Sequence, residues 1–229
     1  ALNSTSTNAQ VGTIAIGTNA LTALTSGASN TAVGYTAGTA ITTGERNTIL
    51  GYEALDGGST EVDDNTAIGF RAMTGAIGTE AVNDCVAIGS YALYGALEEE
   101  ASGTIAIGVT ALGALTSGTG NTVVGYQSAP ELTTGNNNTA IGYQALLNAD
   151  GGEADCTAVG YQAGTTIDGN GTCTVIGKSA NPSAAGTDNE TVIGAGVTGQ
   201  AANSVTLGNA SVTAVYAAQD SGAVVHCLD

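Results

Sequence analysis

One nine-residue pattern recurs along the 229-residue chain and constrains the fold more than any other feature. It reads NTAVGYTAG at 30–38 and NTAIGYQAL at 138–146, and its central glycine, here called the marker glycine, always follows Ile, Val or Leu. The marker glycine occurs twelve times, at intervals of 17, 17, 18, 20, 19, 17, 17, 18, 17, 17 and 14 residues. So regular a period predicts stacked structural units. The marker glycines are Gly17, Gly34, Gly51, Gly69, Gly89, Gly108, Gly125, Gly142, Gly160, Gly177, Gly194 and Gly208.

Each repeat predicts one coil of a solenoid. The T-A-I stretch before the marker glycine favours a short strand, the Y-x-A-L stretch after it favours a second, and a polar turn closes the unit. Seventeen residues are too few for a helix to cross over between parallel strands. We therefore expect an all-β, parallel solenoid of about 11–12 coils at 11–203, after a linker at 1–10 and before a C-terminal β segment or cap at 204–229.

Neighbouring side chains of a strand point to opposite faces. We expect the Ile, Val or Leu before the marker glycine to point into the coil and the small residue before it to point outward. A strand that is apolar on both faces is covered on both faces. Because the coil is thin, we expect a second copy of the chain to provide that cover. The residues expected at this interface are Ala15, Ala32, Ala67, Ala87, Ala106, Val123, Ala140 and Ala158.

Asparagines recur at one position of the repeat. Asn30, Asn47 and Asn65 occupy it in three consecutive units, and Asn121 and Asn138 in two more. Identical amides in stacked strands can hydrogen bond along the stack. This pattern predicts that successive coils lie in register.

The charge balance limits the partners of the chain. The net charge is −17, with only three Lys and Arg residues. Nucleic acid binding requires clustered cations, so a nucleic acid partner is excluded, and the same sign disfavours an anionic membrane surface. No apolar run reaches the roughly 18 residues of a membrane span.

Two sets of residues are candidates for receptor contact. An aromatic residue follows the marker glycine in six repeats and could form ladders that stack on a sugar, although packing alone also explains it. Acidic residues gather where the period lengthens, and the protruding loops predicted there could bind cations or a receptor, or serve only as a solvated edge. The candidates are Tyr35, Tyr52, Phe70, Tyr126, Tyr143 and Tyr161, with Asp63, Asp64, Glu98, Glu99 and Glu100.

Residues with the chemistry for catalysis or metal binding are few. Cys156 and Cys173 occupy equivalent positions in consecutive repeats, close enough for a disulfide, but we favour two separate buried thiols. The single histidine, His226, stands beside Cys227 and is weak support for a metal site. There is no Gly-x-Ser-x-Gly elbow for a nucleophile. We expect neither an enzyme nor a cofactor, although carboxylate pairs that cleave a polysaccharide remain an alternative.

The repeat NTAIGYQAL and its copies resemble the YadA-like head repeats of trimeric autotransporter adhesins. The TTG turns at 42–44 and 133–135 are similar to arrays in phage tail fibres, and 203–227 looks like the segment before a self-cleaving fibre chaperone domain. The resemblance implies a left-handed parallel β-roll in an intertwined homotrimer.

By that resemblance, the expected function is a structural and receptor-binding segment of a phage tail fibre at the virion surface. Its partners would be other virion proteins and a host cell-surface receptor, with a glycan as one candidate. The head of a bacterial surface adhesin is the main alternative. An ice-binding solenoid is another, because Thr31, Thr48 and Thr66 recur from coil to coil. That role needs an exposed threonine face, whereas we expect these threonines to share a face with the core Ile and Val.

Overall fold

The computed structural model describes residues 11–57, 61–75, 82–98, 101–169 and 172–215. Over these residues the chain forms a parallel β-solenoid of about 11 turns, as the repeat predicts. Each strand pairs in parallel with the next along the chain, so that twelve strands make one sheet. The strands are β1 (Ile14–Ile16), β2 (Thr31–Val33), β3 (Thr48–Leu50), β4 (Thr66–Ile68), β5 (Val86–Ile88), β6 (Ile105–Ile107), β7 (Thr122–Val124), β8 (Thr139–Ile141), β9 (Thr157–Val159), β10 (Thr174–Ile176), β11 (Thr191–Ile193) and β12 (Val205–Leu207).

The register of the sheet follows the repeat. Thr31 lies opposite Thr48, and Val33 lies opposite Leu50, in neighbouring coils. Thr, Val and Ile fit the pleated surface of a strand, which favours three-residue strands at these positions. Among the described residues, no helix is long and apolar enough to cross a membrane.

The marker glycines end the strands and form a column. The φ of Gly125 is 147°, and a Cβ added there would lie 2.1 Å from the carbonyl oxygen of Gly142 in the next coil. Only glycine meets both conditions, because a side chain would be strained by the φ and would overlap the neighbouring backbone. The glycine period of the sequence therefore records a close approach between consecutive coils.

The Y-x-A-L stretch is not a second strand, contrary to the sequence prediction. Its second and fourth residues adopt left-handed conformations, with φ values of 51° at Glu53 and 47° at Leu55. Such conformations cost about 1–2 kcal/mol per non-glycine residue. Backbone hydrogen bonds between coils offset this cost, because Glu53 N–H donates to Tyr35 O at 2.9 Å and Leu55 N–H donates to Ala72 O at 3.0 Å.

The asparagines form buried ladders inside the solenoid. Asn47 donates from Nδ2 to Oδ1 of Asn30 at 2.9 Å, and Asn138 donates likewise to Asn121 at 3.1 Å. At Asn65 the backbone N–H, rather than the side chain, donates to Oδ1 of Asn47. The predicted in-register stacking is confirmed at these positions.

The strand faces are reversed from the expected orientation. The middle residue of a strand points into the coil, as Ala32 and Ile49 do, and the Ile, Val or Leu before the marker glycine points outward. The residues expected at an interface are therefore interior ones and cannot contact a second chain. Ala32, Ala67, Ala87, Ala106, Val123, Ala140 and Ala158 are fully buried within the single chain, and Ala15 packs partly buried against the core.

The segment that follows each marker glycine, here called the turn segment, fills most of the interior of the coil. Little room is left there for the side chains of the strand. Large side chains of that segment, such as Leu21 and Ile41, are fully buried. Ile49 is the large exception on the strand side, and it lies beside Gly38: a Cβ there would be 2.9 Å from Cδ1 of Ile49 and 2.8 Å from Cδ2 of Leu21. Close packing thus selects alanine in most strands.

Candidate interaction surfaces

The outward side of the sheet carries a continuous row of Ile, Val and Leu side chains. We call it the outer strand face, made of the first and third residues of β1–β12. The third residue of every strand is Ile, Val or Leu. Of these, Ile16 is 59% exposed and Leu50 is 48% exposed. The other strongly exposed members are Ile14, Ile141, Ile176, Ile193, Val205 and Leu207. Contiguous apolar surface of this kind is typical of a site that binds a partner.

The size of the outer strand face matches a protein interface. Twelve strands spaced about 4.8 Å apart span roughly 55 Å, and two outward rows are roughly 12 Å wide, which gives on the order of 700 Å². Specific interfaces bury about 800 Å² on each partner. The face is therefore large enough to hold a second chain.

Threonines form the other row of the same face. Eight of the twelve strands begin with Thr, and Thr31, Thr48 and Thr66 are half-buried or exposed. They share a face with Ile and Val, as expected, but that face points outward rather than into the core. The sequence predicts these threonines on the core face, which argues against ice binding, and that prediction is therefore wrong.

The aromatic residues after the marker glycines form two stacked ladders. The ring centroids of Tyr35 and Tyr52 are 5.1 Å apart, and those of Tyr126 and Tyr143 are 5.5 Å apart, with nearly parallel planes. Because each ring lies against its neighbours, the ladders present mainly edges and hydroxyls to solvent, not the flat faces on which a sugar would stack. The packing role predicted for these side chains accounts for the geometry, and the remaining rings continue it at Phe70 and Tyr161.

Glutamines flank the second aromatic ladder. Gln144 donates from Nε2 to Oε1 of Gln127 at 3.0 Å, and Gln162 donates to Gln144 at 2.9 Å. These amides use donors and acceptors on one another. The surface beside the tyrosines is therefore a second ladder that ties coils together.

The candidate acidic residues fall into two groups. Asp63 and Asp64 lie beside Arg46, whose Nε donates to Asp64 at 2.7 Å, and the guanidinium lowers the pKa of the Asp64 carboxyl. Glu98 is exposed, whereas Glu99 and Glu100 lie outside the described residues. Asp63 and Asp64 are thus partly neutralised by a cation of the neighbouring coil, which the 18-residue spacing could have revealed.

Carboxylates that the sequence did not single out also converge. Oxygens of Asp150, Glu153 and Asp168 lie within 4.8 Å of one another. Glu153 is fully buried, and it accepts hydrogen bonds from the backbone N–H groups of Gly151 at 3.0 Å and Gly169 at 2.8 Å. These bonds give the buried carboxylate a structural role in tying two turns together.

The described cysteines are buried thiols. Cys85, Cys156 and Cys173 carry no disulfide, in line with the interpretation of separate thiols. Burial raises the pKa of the Cys85 thiol to about 11 and does the same for Cys156. His226 and Cys227 lie outside the described residues.

The outer strand face could have been recognised from volume alone. The turn segment already supplies large interior side chains. Of the two sets of strand side chains that point to opposite faces, only the set with the smaller side chains therefore fits inside.

Comparisons of this chain with known protein families, curated proteins and solved structures give no match.

Proposed function

We propose that this chain is a structural and receptor-binding segment of a trimeric virion fibre, a phage tail fibre that mediates attachment to a host cell. The outer strand face carries the proposal, because it exposes apolar side chains on strand after strand. Water contact with these side chains is unfavourable by about 25 cal/mol per Å² of apolar area. Association of identical chains through this face removes it from water.

Three copies suit this surface because its two outward rows continue in register from β1 to β12. Each chain in a closed trimer meets two neighbours, so both outward rows are covered along the full length of the sheet. The left-handed, intertwined roll implied by the resemblance to YadA-like heads belongs to the same proposal. A rod of this kind is stiff, since each coil is hydrogen bonded to the next, and stiffness suits a fibre that carries a receptor-binding surface away from a particle.

The location of the protein tests the fibre assignment. Immunogold labelling with an antibody against this chain, viewed by electron microscopy, should mark fibres on virions released from infected cells. Gold on the surface of uninfected bacteria would instead support the head of a trimeric adhesin, and the phage proposal would fall.

Attachment itself needs a separate measurement. Fluorescently labelled protein should bind host bacteria saturably and should block adsorption of the virus when added in excess. A protein that neither binds cells nor slows adsorption would have no receptor-binding role.

Ice binding is a second candidate for the same face. The row of threonines beside the aliphatic row is the observation that favours it. The two functions exclude each other for one surface, because a face buried between chains cannot meet ice. Thermal hysteresis of the purified protein at millimolar concentration separates them: a clear freezing-point gap supports ice binding, and its absence removes it.

A further inference from the structure

A cavity interrupts the surface where the repeat loses its core-filling residues. Most coils bury a large apolar side chain four residues after the marker glycine, seven residues after it, or at both positions, such as Leu21 with Leu24 and Leu112 with Leu115. The coil that follows Gly177 has Asn181 and Ala184 at these positions. A cavity of about 420 Å³ opens there, within the range of about 300–1,000 Å³ typical of ligand sites.

The cavity wall is held in place by hydrogen bonds. Oδ1 of Asn181 accepts from the backbone N–H of Thr166 at 3.0 Å and from the hydroxyls of Thr165 at 3.2 Å and Thr166 at 3.3 Å. Asn148 donates from Nδ2 to Thr165 O at 2.7 Å. The side chains are therefore oriented before any ligand arrives, which reduces the entropy lost on binding.

These bonds leave the wall rich in acceptors. The hydroxyl hydrogens of Thr165 and Thr166 are committed to Asn181, so their oxygens keep only lone pairs for a ligand. Oδ1 of Asn148 and the carboxylate of Asp168 add further acceptors, and none of the described residues that line the cavity is a cation. The matching ligand is rich in hydroxyl donors and carries no acid group. An anionic ligand would be repelled by the carboxylate of Asp168 and by the net charge of −17 on the chain.

The geometry points to this cavity as a binding site for a short saccharide without acidic groups, either neutral or amino-substituted. The exposed Ala184 and Ala185 provide apolar surface for the C–H groups of a sugar ring. No lining residue belongs to β1–β12, so the proposed trimer contact leaves the cavity open. The inference gives the attachment function a receptor class and rests on that proposed function.

Saturation-transfer NMR with the full chain tests the site. The panel is the methyl glycosides of glucose, galactose and mannose, with N-acetylglucosamine, glucosamine, glucuronate and N-acetylneuraminate. We expect transfer to at least one neutral or amino sugar and none to the two acids. Transfer to no sugar, or equal transfer to the acids, would overturn the proposal.

Two variants place the binding at the cavity. Ala184→Leu restores the leucine that other coils carry, and we expect it to weaken the bound sugar at least about tenfold. Thr166→Val removes one acceptor at nearly constant shape and should weaken binding about threefold to tenfold. Ala195→Leu, an exposed alanine beside another marker glycine, is the control and should leave affinity unchanged.

The outcomes separate this inference from the proposed function. Equal affinity of Ala184→Leu and the parent, with unchanged thermal midpoints, would show that the sugar binds elsewhere and would end the inference while leaving a trimeric fibre intact. A monomeric mass would remove the trimer without altering the sugar titration.

Discussion

The side chain of Asn47 donates a hydrogen bond to Oδ1 of Asn30, 2.9 Å away, in the buried interior of the solenoid. Nδ2 of Asn47 also donates to Val62 O, and Oδ1 of Asn30 accepts from Asn47 N–H. Three consecutive coils are thereby joined through one amide. A buried polar group of this kind stabilises only while its partners are present.

Asn47→Ala should lower the free energy of unfolding by about 1–3 kcal/mol, because it leaves the Val62 carbonyl without this donor in the interior. Chemical denaturation followed by circular dichroism measures the change. Asn136→Ala is the matched control, since Asn136 is exposed and Oδ1 of its side chain accepts a hydrogen bond from Thr119 N–H. Equal losses in the two variants would show that the interior ladder contributes no more than a surface amide.

Substitutions at a marker glycine and at a glycine outside that column should have opposite effects on folding. Gly125→Ala should prevent folding of the central coils, because its Cβ would overlap the Gly142 carbonyl and its φ is 147°. Gly103→Asn should be tolerated: no atom of the described residues lies within 4 Å of a Cβ at Gly103, and Asn137 adopts a similar φ of 57° at the equivalent position. Soluble yield and thermal midpoint check both variants. A folded Gly125→Ala protein with an unchanged midpoint would contradict the close approach of the coils.

Arg46 predicts a dependence of stability on pH. Its guanidinium lowers the pKa of Asp64 below the ordinary value of 3.8, so the pair stabilises the fold above that pH and the contribution is lost as pH falls through the lowered pKa. Arg46→Gln should therefore show a small decrease in midpoint at pH 7 that shrinks below pH 3.8. Lys178→Gln is the control, because Lys178 makes no ion pair with a described residue. A deficit of Arg46→Gln that persists unchanged at pH 2 would exclude this origin.

The buried thiols predict low reactivity in the folded protein. Burial raises the pKa of Cys85 and Cys156 to about 11, so few thiolates exist at pH 8 to attack a disulfide reagent. In a Cys227→Ser background, three thiols should react slowly with Ellman's reagent in buffer and rapidly in guanidinium chloride. Rapid reaction without denaturant would show that the coil interior is open to solvent.

The sequence predicts the period, the strands and the ladders because each depends on residues that repeat in register. The roles of Gly125 and Asn47 each depend on one position of the repeat that is filled by the same residue in other coils. Alignment of the repeats is therefore enough to find them. Which face of a strand points into the coil is harder to predict from the sequence. Successive side chains point to opposite faces, so Ala32 and Val33 lie on different faces, but the pattern does not say which of them is inside. The volume of Leu21 and Ile41, contributed by neighbouring turns, decides that question.

Other features have weaker signals in the sequence. The left-handed conformation of Glu53 and Leu55 follows from hydrogen bonds between coils, not from the preferences of those residues. The cavity depends on what Asn181 and Ala184 lack relative to other coils, which becomes visible only once the buried positions of the coil are known.

The interface has its own variant test. Ile141→Lys places a charge on the outer strand face at the end of β8, and desolvating it between chains should weaken association by about 2–4 kcal/mol. Val212→Lys, an exposed residue outside the strands, is the control and should leave assembly unchanged. Both variants should keep the circular dichroism of the parent, since neither side chain is interior.

The mass of the purified protein under native conditions tests the central claim most directly. If identical chains cover one another along the outer strand face, native mass spectrometry will give three times the chain mass of 22.1 kDa, and Ile141→Lys will shift the population toward single chains. A single-chain mass at micromolar concentration would show that the aliphatic rows remain in water, and the account of a trimeric fibre would be wrong.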